Sequence, residues 1–157
     1  MDDRRDLRFE RIDDVMPDVE RLLDGSQTCG VWTLGQILSH LATAIRLTLR
    51  PEPPDRARDS DPARLRMEAV RRRRFFQSGR FPEGVEVPHP ALRPPSDSEA
   101  GVEAHSLRLA IEQLTRAEGP FPAHPLLGTL SRQEWIDFHR IHCAHHLSFV
   151  EVSRTPS

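Results

Sequence analysis

The sequence predicts an all-α protein, a four-helix bundle with one long crossover between its second and third helices, and three observations carry that prediction. Four segments place apolar residues at the 3.6-residue period of an amphipathic helix. Three of them open with a capping box, Thr33 with Gln36, Ser96 with Glu99 and Ser131 with Glu134; in such a box each side chain satisfies an orphan backbone donor of the other residue. No stretch alternates apolar and polar residues between turn signals in the manner of a strand. In a bundle of this kind, inward side chains on facing helices build the site.

A chain of 157 residues is one domain, residues 1–157, long enough to bury roughly 70% of the surface its unfolded form exposes. Cys29 and Cys143 show no framework spacing and no leading segment has signal or membrane length, so a cytoplasmic protein without a membrane partner is expected. The net charge of -2 argues against a nucleic-acid partner. All 22 cationic residues are arginine, and lysine, tyrosine and asparagine are absent. That excludes lysine Schiff bases, a P-loop lysine and a tyrosine acid or nucleophile.

In chain order, residues 1–8 are charged and expected to fray. The first helix takes Asp14 as N-cap, tolerates Pro17 in its first turn, buries Val15, Val19, Leu22 and Leu23, and stops at Gly25. Residues 26–31 connect it to the second helix, which runs from the Thr33 box to Arg50 and buries Leu34, Ile37, Leu38, Leu41, Ala44, Ile45 and Thr48. His40 lies at the edge of that arc. Alone, it reads as a core-margin histidine donating to a carbonyl ahead of a ligand.

Nine of the fourteen prolines fall between Pro51 and Pro95, which marks that stretch as a crossover and not a second domain. Within it Asp61 and Pro62 form an N-cap and N1 pair, Gly79 a stop, and Leu65, Ala69, Val70 and Phe76 the inner side of one extra helix. Arg71 to Arg74 read as its solvated face. Residues 81–95 form a proline-stiffened loop, read as packing over a bundle end before being read as a lid. The third bundle helix runs from the Ser96 box to Gly119 and buries Ala100, Ala104, Leu107, Ile111 and Leu114. Glu103 falls on that arc, where its charge needs a partner: a metal, its bound water, a ligating histidine, or an arginine at the helix edge. His124, in the turn-rich connection that follows, reads as structural.

The last helix is predicted over Leu130–Ser153 and carries four of the eight histidines. Trp135, Phe138, His142, His146 and Phe149 fall within an arc about 80° wide, with Gln133, Asp137, Arg140, Ala144 and Glu151 opposite. His142 and His146 are one turn apart, so two imidazoles can share one ion. With His40 they make three nitrogen ligands and leave positions open, the pattern of a catalytic metal site. A bundle whose histidines are simply hydrogen-bonded is the competing reading. Cys143 lies about 100° from His142, turned aside.

VWTLGQILSHL (Val31–Leu41), HPLLGTLSRQEW (His124–Trp135) and FHRIHCAHHLSFV (Phe138–Val150) resemble the signatures of the DinB-like (DinB/YfiT-type) four-helix-bundle superfamily, in a branch known only as a domain of unknown function. The resemblance spans nearly the whole chain. It implies a metal site of one histidine in the second helix and an H-x3-H pair in the last, which map onto His40, His142 and His146. Relatives include thiol-dependent S-transferases and a mycothiol-dependent maleylpyruvate isomerase. The resemblance therefore implies a divalent ion, zinc first with nickel, iron or manganese as alternatives, that activates a low-molecular-weight thiol or a water.

Two classes of function follow. One is a metal-dependent transferase, isomerase or hydrolase acting on a small molecule, with Glu103, His145 or His139 moving protons. The other is a non-catalytic metal-binding or stress-response bundle that works through protein partners. A homodimer is compatible with either.

Overall fold

A computed structural model describes residues 4–50, 52, 56–83 and 89–153. In chain order it holds α1 (Val15–Leu23), β1 (Ser26–Thr28), α2 (Leu34–Thr48), α3 (Arg56–Asp59), α4 (Pro62–Ser78), α5 (Ala100–Arg116), α6 (Arg132–Leu147) and β2 (Val150–Val152), with 3-10 turns at Ile12–Asp14 and Pro90–Leu92. The architecture is all-α, as the periodicity predicts, apart from the one small ribbon of β1 and β2. None of the helices among the described residues is long and apolar enough to cross a membrane.

Two predicted capping boxes form. Thr33 Oγ1 accepts from Gln36 N at 3.2 Å while Gln36 Oε1 accepts from Thr33 N at 3.0 Å, and Ser131 and Glu134 repeat the exchange at 3.1 and 3.0 Å. The third does not. α5 starts at Ala100 with Glu99 itself as the cap, its carboxylate accepting from Gly101 N and Val102 N at 2.9 and 2.8 Å. The reason lies just upstream. Ser98 Oγ and Ser98 N both donate to Pro95 O, holding a turn there, and the Ser98 carbonyl then passes over Gly35 of α2, where a Cβ would stand 2.1 Å from it. Gly35 thus sets how closely the entry to α5 approaches α2, the most extensive helix pairing among the described residues.

The bundle core joins residues of α1, α2 and α5 to Ile136, Cys143, Ala144 and Leu147 of α6. A separate aromatic core, Phe75, Leu127, Leu130, Trp135, Phe138 and Ile141, lies on another side of α6. α6 is therefore buried on two sides, and Ala144, placed by its helical angle among the solvent-facing residues, is buried. On the face carrying Trp135 and Phe138, Phe138 meets Phe75 and Phe81 of the crossover and Trp135 meets His124 of the connection before α6.

Several expectations are corrected at the edges. α6 ends at Leu147, because Val150 and Val152, stiff at χ1 and suited to a pleated surface, leave the helix and pair antiparallel with residues 26–28, Thr28 opposite Val150. Leu23 is exposed, and so are Leu65 and Val70; in α4 the buried side chains are Phe75 and Glu68. Glu68 meets Arg58 at 2.7 Å and Arg64 at 3.1 Å. Arg72 is not merely solvated, since its guanidinium donates to Leu127 O at 2.9 Å. Residues 4–8 are anchored: Arg5 N donates to Ser148 O at 2.8 Å, and the Arg5 guanidinium grips the buried Asp18 at 2.9 and 2.8 Å. Asp61 and Gly79 cap α4 as read, Gly79 with φ of 61°.

Candidate metal centre

α2 delivers His40 and α6 delivers His142 and His146 to one point. His142 Nε2 lies 3.2 Å from His40 Nε2 and 3.0 Å from His146 Nε2, and a ligand nitrogen from each of the three lies within 4.8 Å of the others. Tetrahedral nitrogen ligands about 2.05 Å from a zinc ion stand about 3.3 Å apart. Two of the three separations match that spacing, and the group could hold an ion.

His40 combines both readings of its position. Its Nδ1–H donates to Leu92 O at 2.8 Å, which leaves the lone pair on Nε2, directed at the other two rings. Leu92 belongs to the Pro90–Leu92 turn of the crossover, where Leu92 N donates to His89 O at 2.9 Å and His89 Nδ1 accepts from Ala91 N at 3.0 Å. The crossover thus orients one ligand. His142 Nδ1, by contrast, is buried without a hydrogen-bond partner among the described residues.

The electrostatics favour neutral rings. Burial pushes His40 below its ordinary pKa, with the Leu92 contact opposing. Burial and then the neighbouring His146 and His40 hold His142 well below it, and burial, then His40, His145 and Arg4, bring His146 to about 2. Neutral imidazole is the ligating form. With all three lone pairs turned on one point the rings would repel one another, and a divalent cation would convert that repulsion into coordination. The residues fit such an ion.

Two aromatic walls that the sequence reading did not single out enclose the cluster. Trp32 packs on His40 at 4.9 Å and stacks on His146 at 5.7 Å between ring centroids, and Phe81 stacks on His142 at 4.8 Å. Their signals were positional. Trp32 directly precedes the Thr33 cap, where an apolar residue fixes how the chain enters a helix, and Phe81 follows the Gly79 stop. His146 remains half-buried, which leaves the cluster an open side.

The other candidate residues are placed differently. His145, half-buried, packs on His146 at 5.0 Å and on Phe81 at 5.2 Å. Its Nδ1 is 3.3 Å from Arg4, which can only donate, so the proton of neutral His145 sits on Nε2. His139 is buried, hydrogen-bonded through Nε2 to Thr48 Oγ1 at 2.9 Å and stacked on Trp135. It is outside the convergent group. So is Glu103, half-buried in the first turn of α5. His124 is structural: its Nδ1 accepts from Leu126 N and Leu127 N at 3.0 and 3.1 Å. Cys143 is buried and its thiol is pushed up to about 12 by burial, whereas Cys29 is exposed.

Residues 1–153 match the model of a family described as a protein of unknown function (DUF1569). No curated protein and no solved structure gives a match.

Proposed function

The chain belongs to the DUF1569 family of proteins of unknown function, and we propose that it is a metal-dependent enzyme acting on a small molecule. The observation that carries this is the convergence of three Nε2 atoms from His40, His142 and His146, with the second nitrogen of His40 committed to Leu92 O. The three motifs, the helical fold and the one-plus-two histidine arrangement support placing the family among the DinB-like bundles. Zinc is the first choice of ion for an all-imidazole set, with nickel, iron or manganese as alternatives. An ion held by neutral ligands keeps its full charge and supplies Lewis acidity that lowers the pKa of an incoming thiol or water.

The chain's own residues define the rest. His40, His142 and His146 would hold the ion, while Trp32 and Phe81 keep bulk water from the ligand rings. His145, neutral with its proton on Nε2, is the best-placed group to pass a proton at the open side. Glu103 remains assigned as a second proton carrier on its helical position alone, and His139 is better suited to supporting α6 than to meeting substrate, because it is 1% exposed. Neither cysteine serves as the attacking sulfur, because Cys143 is buried with its thiol pushed up and Cys29 lies on an exposed loop. The thiol, where one is used, is a separate small molecule. A cytoplasmic setting belongs to the same proposal.

The test is a screen of small thiols with electrophiles, and of simple esters and amides, using protein of known metal content. Turnover should be abolished by chelation and by His40→Ala, and should survive Cys143→Ser and Cys29→Ser. Turnover undiminished in metal-free protein would refute the proposal.

A further inference from the structure

A cavity of about 450 Å³ opens behind Phe81, between the N-terminal segment, the end of α4 and the C-terminal half of α6. Its charged lining comprises Arg4, Arg5, Arg8 and Arg80 against Asp6 and Glu83. Among the described residues, four positive and two negative groups line it. Arg5 is committed to Asp18. The informative residue is Arg4.

Arg4 is held from behind and below. Its Nε and one terminal nitrogen donate to Ser148 Oγ at 3.2 and 3.1 Å, the same terminal nitrogen faces His145 Nδ1 at 3.3 Å, and its guanidinium lies 4.2 Å over the Phe149 ring. The other terminal nitrogen meets the carboxylate of Glu83. The side chain of Arg4 is 18% exposed but that of Glu83 is 74% exposed. A surface pair with so exposed a partner contributes little stability, which does not explain a guanidinium fixed on three sides. A fixed guanidinium with one N–H edge offered to an exchangeable carboxylate is the arrangement that recognises carboxylates. Phe81, which lines this cavity, also stacks on His142, and His145, which holds Arg4, packs on His146. Phe81 and His145 thus touch both the cavity and the histidine cluster.

We propose that this cavity is the subsite for a carboxylate on the small molecule processed at the histidine cluster, with Arg4 as the specificity residue and Glu83 as the internal carboxylate that the ligand displaces. The placement beside the cluster rests on the metal-site reading; the carboxylate site itself does not.

The experiment measures binding by calorimetry with the full chain, using succinate, its neutral isostere succinamide, and inorganic phosphate. Succinate should bind the wild type, about fivefold more tightly to Glu83→Gln, which removes the competing charge, and at least tenfold more weakly to Arg4→Gln, which loses a charged donor. Near-UV circular dichroism confirms that both variants remain folded. Succinamide should not bind, and chelator-treated protein should bind succinate as the untreated protein does. An Arg4→Gln variant with wild-type affinity, or a Glu83→Gln variant with unchanged or weaker affinity, would overturn the proposal. Tighter binding of phosphate than succinate would overturn the carboxylate assignment. Binding lost on chelation would place the carboxylate on the ion, ending the subsite while leaving the metal reading intact.

Discussion

Acidification should destabilise the metal-free protein through His139 by an amount that can be worked out beforehand. His139 is 1% exposed, stacked on Trp135 at 5.6 Å and bonded to Thr48, and burial, then the neighbouring His124, hold its pKa at about 3 against an ordinary 6.5. Because the folded value is the lower one, the unfolded chain takes up the proton first. The contribution is intact above about pH 6.5, falls as the pH drops toward about 3, and changes no further below that. Between pH 7 and 5 the unfolded state goes from about one-quarter to almost fully protonated at this site while the folded state takes up almost nothing, a loss of about 2 kcal/mol. His139→Phe keeps an aromatic ring against Trp135 and removes the titration. Urea unfolding at pH 7 and pH 5 in chelator should therefore show wild type losing about 2 kcal/mol more than the variant, whatever the variant's stability at pH 7. Equal pH dependence in the two proteins would show that the fold does not keep His139 neutral.

Gly128→Ala should destabilise the fold by about 3 kcal/mol or more, measured by thermal unfolding: its φ is 77°, and a Cβ would stand 2.0 Å from Glu68 Oε2, so left-handed strain adds to disruption of the buried Glu68–Arg58 pair. A change within about 0.5 kcal/mol, the ordinary surface range, would contradict that packing. Replacing Arg71, Arg73 and Arg74 by glutamine should leave stability unchanged in urea titrations, whereas Arg72→Gln, which loses the bond to Leu127 O, should cost about 1 kcal/mol; a ranking in the opposite order would show that the exposed arginines matter. Thiol titration should find Cys29 reactive and Cys143 inert until the protein unfolds, since Cys143 is buried with its thiol pushed up to about 12. Rapid labelling of both in the folded protein would refute the assignment.

The bundle helices were legible where the signals were local. Thr33, Ser131, Asp61 and Gly79 act on backbone groups within a turn of themselves, and the helices start or stop there. Features set by distant partners were not legible. The ribbon joins three residues near position 27 to three near 151, so Val150 and Val152 read as the tail of a helix until their partner is known. α5 begins late because of Ser98 on Gly35, and the anchoring of residues 4–8 depends on Asp18 and Ser148. The aromatic core was missed because Phe75 and Phe81 sit in a proline-rich, arginine-rich stretch whose mean character is polar. In the site, spacing alone paired His142 with His146. For His40 the carbonyl and ligand readings turned out to describe opposite nitrogens of one ring.

Metal stoichiometry is the most direct test of the three-histidine centre. Protein purified without an affinity tag, assayed by elemental analysis for wild type, His142→Ala, His146→Ala and His145→Ala, should carry one divalent ion per chain in wild type and His145→Ala. His142→Ala and His146→Ala should be nearly empty, because each removes one of the three convergent nitrogens. Equal loss from all three variants, or an ion retained by His142→Ala at wild-type occupancy, would contradict the assignment of His40, His142 and His146 as the metal centre.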